Sequence, residues 1–197
     1  MKLFGTTTSP FVRRVTIVAA EIGIEIERVD TATEAGQAAL REVTPIRKVP
    51  IAVADGTTLF DSRVIIDWIT AHYGFGKLAG LREPWREANL VNAIDAALDA
   101  VIQLFYLRRD GVAIDGTPYA TRQLDRADAI FTWLGTQLAP DRRGFSEGLG
   151  LPEITLVCAL DWMDFRTAYP TERASAVESV RTAWTDRASF AATRPHV

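Results

Sequence analysis

Ser9-Pro10-Phe11-Val12-Arg13-Arg14-Val15 follows directly on the strand-like Met1-Lys2-Leu3-Phe4, and the reading of this junction decides the fold. Proline suits the first helical position, where the N–H it lacks would have no partner, and a serine just before it is a preferred N-cap. Ser9 therefore stands at the start of an amphipathic helix. The free N–H groups of the first turn and the positive end of the helix dipole meet at the same point, so the junction forms a small site able to hold a thiolate or another anion.

Outward from this junction, strand and helix signals alternate. Lys2 to Gly5 reads as a strand, Pro10 to Ile22 as a helix closed by Gly23, and Glu25 to Asp30 as a second strand alternating around Ile26 and Val29. That is a β-α-β unit. A weaker helical pattern covers Thr33 to Val43. Val49 to Val53 and Thr57 to Phe60 then flank Asp55-Gly56, a two-residue hairpin signal, and a further helix starts at Asp61-Ser62 and ends before Gly74. The order is βαβαββα, a parallel pair first and an antiparallel hairpin last.

Gly74-Phe75-Gly76-Lys77-Leu78-Ala79-Gly80 breaks the helical pattern, and Pro84 offers a new helix start. Beyond it strand signals vanish. Trp85 to Arg109, Pro118 to Leu138, Leu151 to Arg166 and Ala174 to Trp184 carry apolar residues at spacings of three and four, the pattern of packed helices. We expect an α/β domain over residues 1–74, a linker over 75–83 and an all-helical domain over 84–197.

Composition narrows the function classes. Of 197 residues, 48% are hydrophobic and 24% charged, which suits a globular chain of one large or two small domains. Apolar runs are interrupted well short of the roughly eighteen residues of a membrane span, and the N-terminus lacks a secretion signal, so we expect a cytoplasmic protein without a membrane partner. One cysteine, Cys158, rules out an internal disulfide, and with two histidines, His72 and His196, no metal site is expected. A net charge of −3 with interspersed signs gives no basic stripe for nucleic acid.

Three short features gain meaning together: Ser9-Pro10-Phe11 after the first strand, Lys48-Val49-Pro50 leading into the third, and Asp61-Ser62 at the start of the helix after the fourth. Followed by an all-helical half, they resemble the glutathione transferase superfamily, in which a thioredoxin-like N-terminal domain precedes a helical one. Ser-Pro-Phe-x-x-Arg-Val is similar to the serine-type members, bacterial, tau-like and zeta-like. Thr44-Pro45-x-x-Lys48-Val49-Pro50 resembles their segment before a cis-proline.

The resemblance implies that Pro50 is the cis residue and that the backbone of Val49 pairs with the cysteinyl part of glutathione. It assigns Asp61 and Ser62 to the γ-glutamyl end, with Ser62 and the helix start accepting the α-carboxylate and Asp61 meeting the α-ammonium. Lys48 would face the glycyl carboxylate; the plainer reading of Lys48 is a solvated lysine. The family further implies glutathione as co-substrate, a small hydrophobic electrophile as second substrate, and a homodimer. Conjugation is the leading activity. A non-catalytic member that binds glutathione or a protein partner, and a glutathione-dependent isomerase, stand as alternatives.

Ser9 matches the catalytic serine of serine-type members. Its hydroxyl is too weak a base to take the thiol proton, so its role would be to donate a hydrogen bond to the thiolate. Lowering a thiol pKa from about 8.5 by two units takes about 2.7 kcal/mol. A charge-assisted hydrogen bond supplies roughly 1.5–3 kcal/mol and a helix N-terminus up to about 2, which together suffice. The plainer role of Ser9 is the helix cap alone, and Thr8 is the rival hydroxyl. Serine in place of cysteine argues against mixed-disulfide chemistry.

Some residues depart from the family pattern. Arg47 stands where many relatives have glycine. In the helical domain, Gly150-Leu151-Pro152-Glu153 replaces the usual Ser/Thr-x-x-Asp capping box. Arg13 and Arg14 place positive charge in the first turn of a helix, which the dipole disfavours, so they need acidic partners or a ligand, partner carboxylates being the plainer reading. Phe105, Tyr106 and Trp162 are read as core, with a second-substrate pocket as the alternative. Gly144-Phe145-Ser146-Glu147-Gly148 matches the nucleophile elbow of hydrolases, but the loop-like residues before it lack the strand that motif requires.

Overall fold

Leu3 and Phe4 are neighbours in sequence yet point to opposite faces of a sheet, and this alternation organises the N-terminal part of the chain. The computed structural model describes residues 1–196. Strand β1 (Lys2–Gly5) runs parallel to β2 (Glu27–Asp30) and antiparallel to β3 (Ile51–Ala54), and β3 pairs antiparallel with β4 (Thr57–Leu59). The strand order is β2-β1-β3-β4. Phe4 and Ile51 lie opposite one another in register and bury with Leu40 of helix α2 (Glu34–Val43), joined by Val29, Ala39, Val43, Val49 and Val53. Leu3 and Ala52 are fully buried towards the other face, where α1 (Pro10–Ile22) and α3 (Ser62–Tyr73) pack against β1, β3 and each other.

The element starts follow local chemistry. Ser9 and Thr33 cap α1 and α2, each accepting the N–H three residues on, and Gly23 closes α1 in the left-handed region at φ 87°. Asp55 and Gly56, at φ 49° and 77°, make the turn of the β3–β4 hairpin. Gly36 has a different reason for being glycine: a Cβ there would lie 1.9 Å from the Asp30 carbonyl oxygen, so α2 starts tight against the end of β2. The thioredoxin-like domain expected from sequence is present, with β2 two residues shorter at its start.

The chain divides into two compact units, Met1–Gly80 together with the segment from Arg187 onward, and Leu81–Asp186. The last segment, placed in the helical domain by the sequence reading, thus packs with the first unit. Its short helix α8 (Ala188–Ala191) lies on α1, held by Arg187 and Ser189, both of which donate to the buried Glu21 carboxylate.

The second unit is helical: α4 (Pro84–Arg109), α5 (Pro118–Thr136), α6 (Leu151–Phe165), a 3-10 helix (Thr171–Val177) and α7 (Glu178–Trp184). Helix α4 contains an 18-residue window of mean hydropathy 1.5, long and apolar enough by composition to cross a membrane. Its Leu90, Ile94, Leu98, Val101 and Leu104 are buried and it packs on α5 and α6, so that apolar content makes it the central helix of the bundle.

At the start of α6, Gly150 has no side chain with which to cap. Glu153 replaces the missing acceptor: Oε2 takes the Gly150 N–H at 2.9 Å and Oε1 the Phe145 N–H at 2.7 Å, tying down the loop over residues 137–150. Ser146 lies in that loop, with no strand before it. Burial raises the Glu153 carboxyl above the ordinary range, the backbone N–H groups oppose the rise, and nearby Glu87 adds to it. Cys158 is buried on the same helix.

Candidate functional site

Ser9 is partly exposed at the mouth of α1, with extended backbone (φ −81°, ψ 123°), and its Oγ accepts from the Val12 N–H at 3.3 Å. An oxygen used as an acceptor in a cap keeps its proton for donation outward. Thr8, the rival hydroxyl, is hydrogen-bonded to Thr6 Oγ1 at 3.2 Å.

The antiparallel register of β1 with β3 pairs Phe4 with Ile51, which places Pro50 beside the Gly5 end of β1, the end from which the loop to Ser9 departs. The Val49–Pro50 peptide is cis and Pro50 is buried. Val49 packs its side chain against the Phe4, Leu40 and Ile51 cluster, so what remains of it for a ligand is its main chain. Lys48 is exposed on the loop before it. Arg47 adopts φ 53°, in the left-handed region that favours glycine.

Asp61 caps α3: its exposed carboxylate accepts the Arg63 N–H through Oδ1 at 2.8 Å, and the Phe60–Asp61 peptide is also cis. Ser62, the first residue of α3, is buried at 1% exposure. Its Oγ accepts two hydrogen bonds from the Arg14 guanidinium, from Nε at 3.0 Å and from Nη2 at 2.6 Å. Arg14 and Ser62 thereby join the starts of α1 and α3. The fold thus gathers Ser9, Val49-Pro50 and Asp61-Ser62 at one end of the first unit's sheet, with Lys48 on the adjoining loop.

The sequence reading asks for acidic partners or a ligand for Arg13 and Arg14, and the following hydrogen bonds go instead to neutral oxygens. Arg13 donates to the Phe190 carbonyl and the Thr193 hydroxyl of the C-terminal segment. Arg14 donates to Ser62, a residue the same reading assigns to ligand binding. The signal for Arg14 was the misplaced charge; its address lies 48 residues away and only the fold supplies it.

The aromatic residues read as core or pocket divide. Trp162 is buried, and Phe105 meets it and Tyr106 edge-on at 5.4 Å each, while Tyr106 is exposed with Arg109 over its ring at 4.5 Å.

Comparison with known proteins gives three findings. Residues 3–82 match the family model described as glutathione S-transferase, N-terminal domain. The chain is 28% identical over 203 residues to the uncharacterised GST-like protein YibF of Escherichia coli (strain K12), covering 99% of this chain and 98% of that one. Among solved structures, the glutathione S-transferase of Methylobacillus flagellatus KT with bound glutathione superposes with a TM-score of 0.85 at 23% identity, over 99% of both chains. That of Methylobacterium radiotolerans, in complex with glutathione sulfonate, gives 0.84 at 20% identity, over 100% of this chain and 95% of that one.

Proposed function

We propose that this chain is a member of the glutathione S-transferase superfamily, whose N-terminal domain model matches residues 3–82, and that it binds glutathione and holds its sulfur as thiolate at Ser9 for attack on a small apolar electrophile. The observation that carries the reading is the position of Ser9 at the N-cap of α1, its hydroxyl proton available and the positive end of the helix dipole behind it. The solved relatives that bind glutathione or its sulfonate support the choice of thiol.

In the proposed complex, the Val49 main chain pairs with the cysteinyl unit and sets the sulfur towards Ser9. Ser62 receives the γ-glutamyl α-carboxylate, Asp61 its α-ammonium, and Lys48 the glycyl carboxylate. Ser9 acts as a donor throughout. The thiol proton leaves to solvent, and the Ser9 hydrogen bond with the α1 N-terminus stabilises the charge left behind. The thiolate then forms a carbon–sulfur bond with the electrophile. The assembly proposed is a homodimer.

Calorimetric titration with glutathione, with thiolate absorbance followed at neutral pH, tests the reading. Wild type is expected to bind and to develop the thiolate signal. Ser9→Ala is expected to bind with little loss of affinity, lose the signal, and turn over about a hundredfold more slowly, the scale for removing one donor to a developing anion. Binding without a Ser9-dependent signal would support a non-catalytic glutathione-binding protein instead. No binding would refute the reading.

A further inference from the structure

Arg28 stands opposite Leu3 in the register of β1 with the edge strand β2, so its side chain leaves the sheet on the face that carries α1. Between α1, this edge and the C-terminal segment lies a cavity of about 270 Å³, just under the about 300–1,000 Å³ of ordinary ligand pockets. Its walls belong to the first unit, and none of the residues assigned to glutathione lines it.

The charge around this cavity is of one sign. Arg13, Arg28 and His196 line it, and no carboxylate does among the described residues. Arg13 is held at the wall by the Phe190 carbonyl and the Thr193 hydroxyl, and keeps its charge with those bonds made. The Arg28 guanidinium is exposed and has no ion pair or hydrogen bond among the described residues. His196 Nδ1 lies 2.9 Å from the Arg194 carbonyl oxygen, which can only accept, so Nδ1 carries a proton and Nε2 is left for another partner. The threonine hydroxyls do not compete as donors: Thr7 gives its proton to the His196 carbonyl, Thr16 to that of Val12 and Thr193 to that of Ser189. Val12 and Ile26 add apolar wall.

We propose that this cavity binds a small carboxylate with an apolar body, the carboxylate meeting Arg28 and His196 beside the Arg13 charge and the body lying on Val12 and Ile26. The guanidinium fork matches the two oxygens of a carboxylate, and a bare inorganic anion would leave the apolar wall uncovered. The site is separate from the one at Ser9 and does not depend on glutathione binding.

The test follows the His196 ring by NMR in the full chain, with S-hexylglutathione present to fill the thiol site and the space beside its sulfur. His72 is the other histidine, so His196→Gln assigns the signal. Benzoate is the probe and benzamide its neutral isostere. Benzoate is expected to shift the His196 resonance saturably, benzamide to require at least about tenfold more, and Arg28→Gln to weaken benzoate about tenfold, the scale of one charge-assisted hydrogen bond. The comparison of benzoate with benzamide needs no variant, so the inference stays testable should Arg28→Gln fail to fold. An unmoved His196, an equal shift with benzamide or with the same concentration of chloride, or an affinity unchanged in Arg28→Gln would each overturn the inference. A shift seen only without S-hexylglutathione would overturn it too, by assigning benzoate to the thiol site. A protein that does not bind S-hexylglutathione would lose the reading at Ser9, while the benzoate result stands on its own.

Discussion

Arg47 holds a backbone conformation that its own side chain disfavours. At φ 53°, a residue with a Cβ pays roughly 1–2 kcal/mol that glycine does not, while glycine costs about 0.4–1 kcal/mol through the freedom it adds to the unfolded chain. The first quantity is the larger, so Arg47→Gly should raise the urea unfolding free energy by about 0.5 kcal/mol, and Arg47→Val, with its branched Cβ, should lower it by more than about 1 kcal/mol. A glycine variant less stable than wild type would show that the Arg47 side chain makes compensating contacts. The family resemblance flags this position, and the left-handed backbone supplies the physical reason. Other residues were legible because their signal is local: Ser9 followed by proline is a cap wherever it occurs, and Asp55-Gly56 is a hairpin turn. The bond between Arg14 and Ser62 was not, since neither residue carries a mark of the other and a charge in the wrong part of a helix says only that some partner exists.

Elements were legible to the extent that one periodicity ran through them. Helix α1, with its apolar stripe, proline start and glycine stop, has the bounds its sequence predicts, and β1 likewise. Helix α2 gave a weak signal because it buries little of itself: Gly36 and Leu40 are its only buried residues. Glycine inside a helix usually reads as a defect, and replacing it with alanine ordinarily gains about 1 kcal/mol. Here the sign reverses. The alanine methyl would meet the Asp30 carbonyl oxygen at 1.9 Å, and relieving a contact with main chain means moving α2 away from β2. Overpacking costs 1–3 kcal/mol or more, so Gly36→Ala should destabilise the protein by about 2 kcal/mol net in urea unfolding. An unchanged or higher midpoint would mean that α2 can shift at no cost. At α6 the sequence shows the glycine that weakens the cap, but not that Glu153 gathers a second N–H from Phe145, because that loop comes back to the helix only in the folded chain.

At the scale of the whole chain, the largest departure from the sequence reading is the C-terminal segment, which belongs with the first unit. Nothing local could announce it: Arg187 and Ser189 reach Glu21 across more than 160 residues of sequence. Glu21 is 6% exposed and accepts from Arg187 Nε and Nη2 at 2.7 Å each, with Ser189 Oγ on the same carboxylate. The Arg187 hydrogen bonds hold the Glu21 carboxyl below the ordinary range, burial opposes them, and Ser189 and the Arg187 and Lys77 charges add to the lowering. A carboxyl depressed on folding contributes stability that is present above its unfolded pKa and is lost as pH falls through the folded value. The C-terminal segment should therefore stay attached from neutral pH down to the ordinary carboxylate range and loosen below it. Hydrogen exchange at the amides of residues 189–193 reads this directly, and protection should fall on acidification before that of the β1 and β3 amides. Glu21→Gln keeps the shape but loses the charge-assisted bonds, so it should cost about 1–3 kcal/mol at neutral pH and remove this acid dependence. If wild type and Glu21→Gln lose protection in parallel as pH falls, a different carboxylate governs the release.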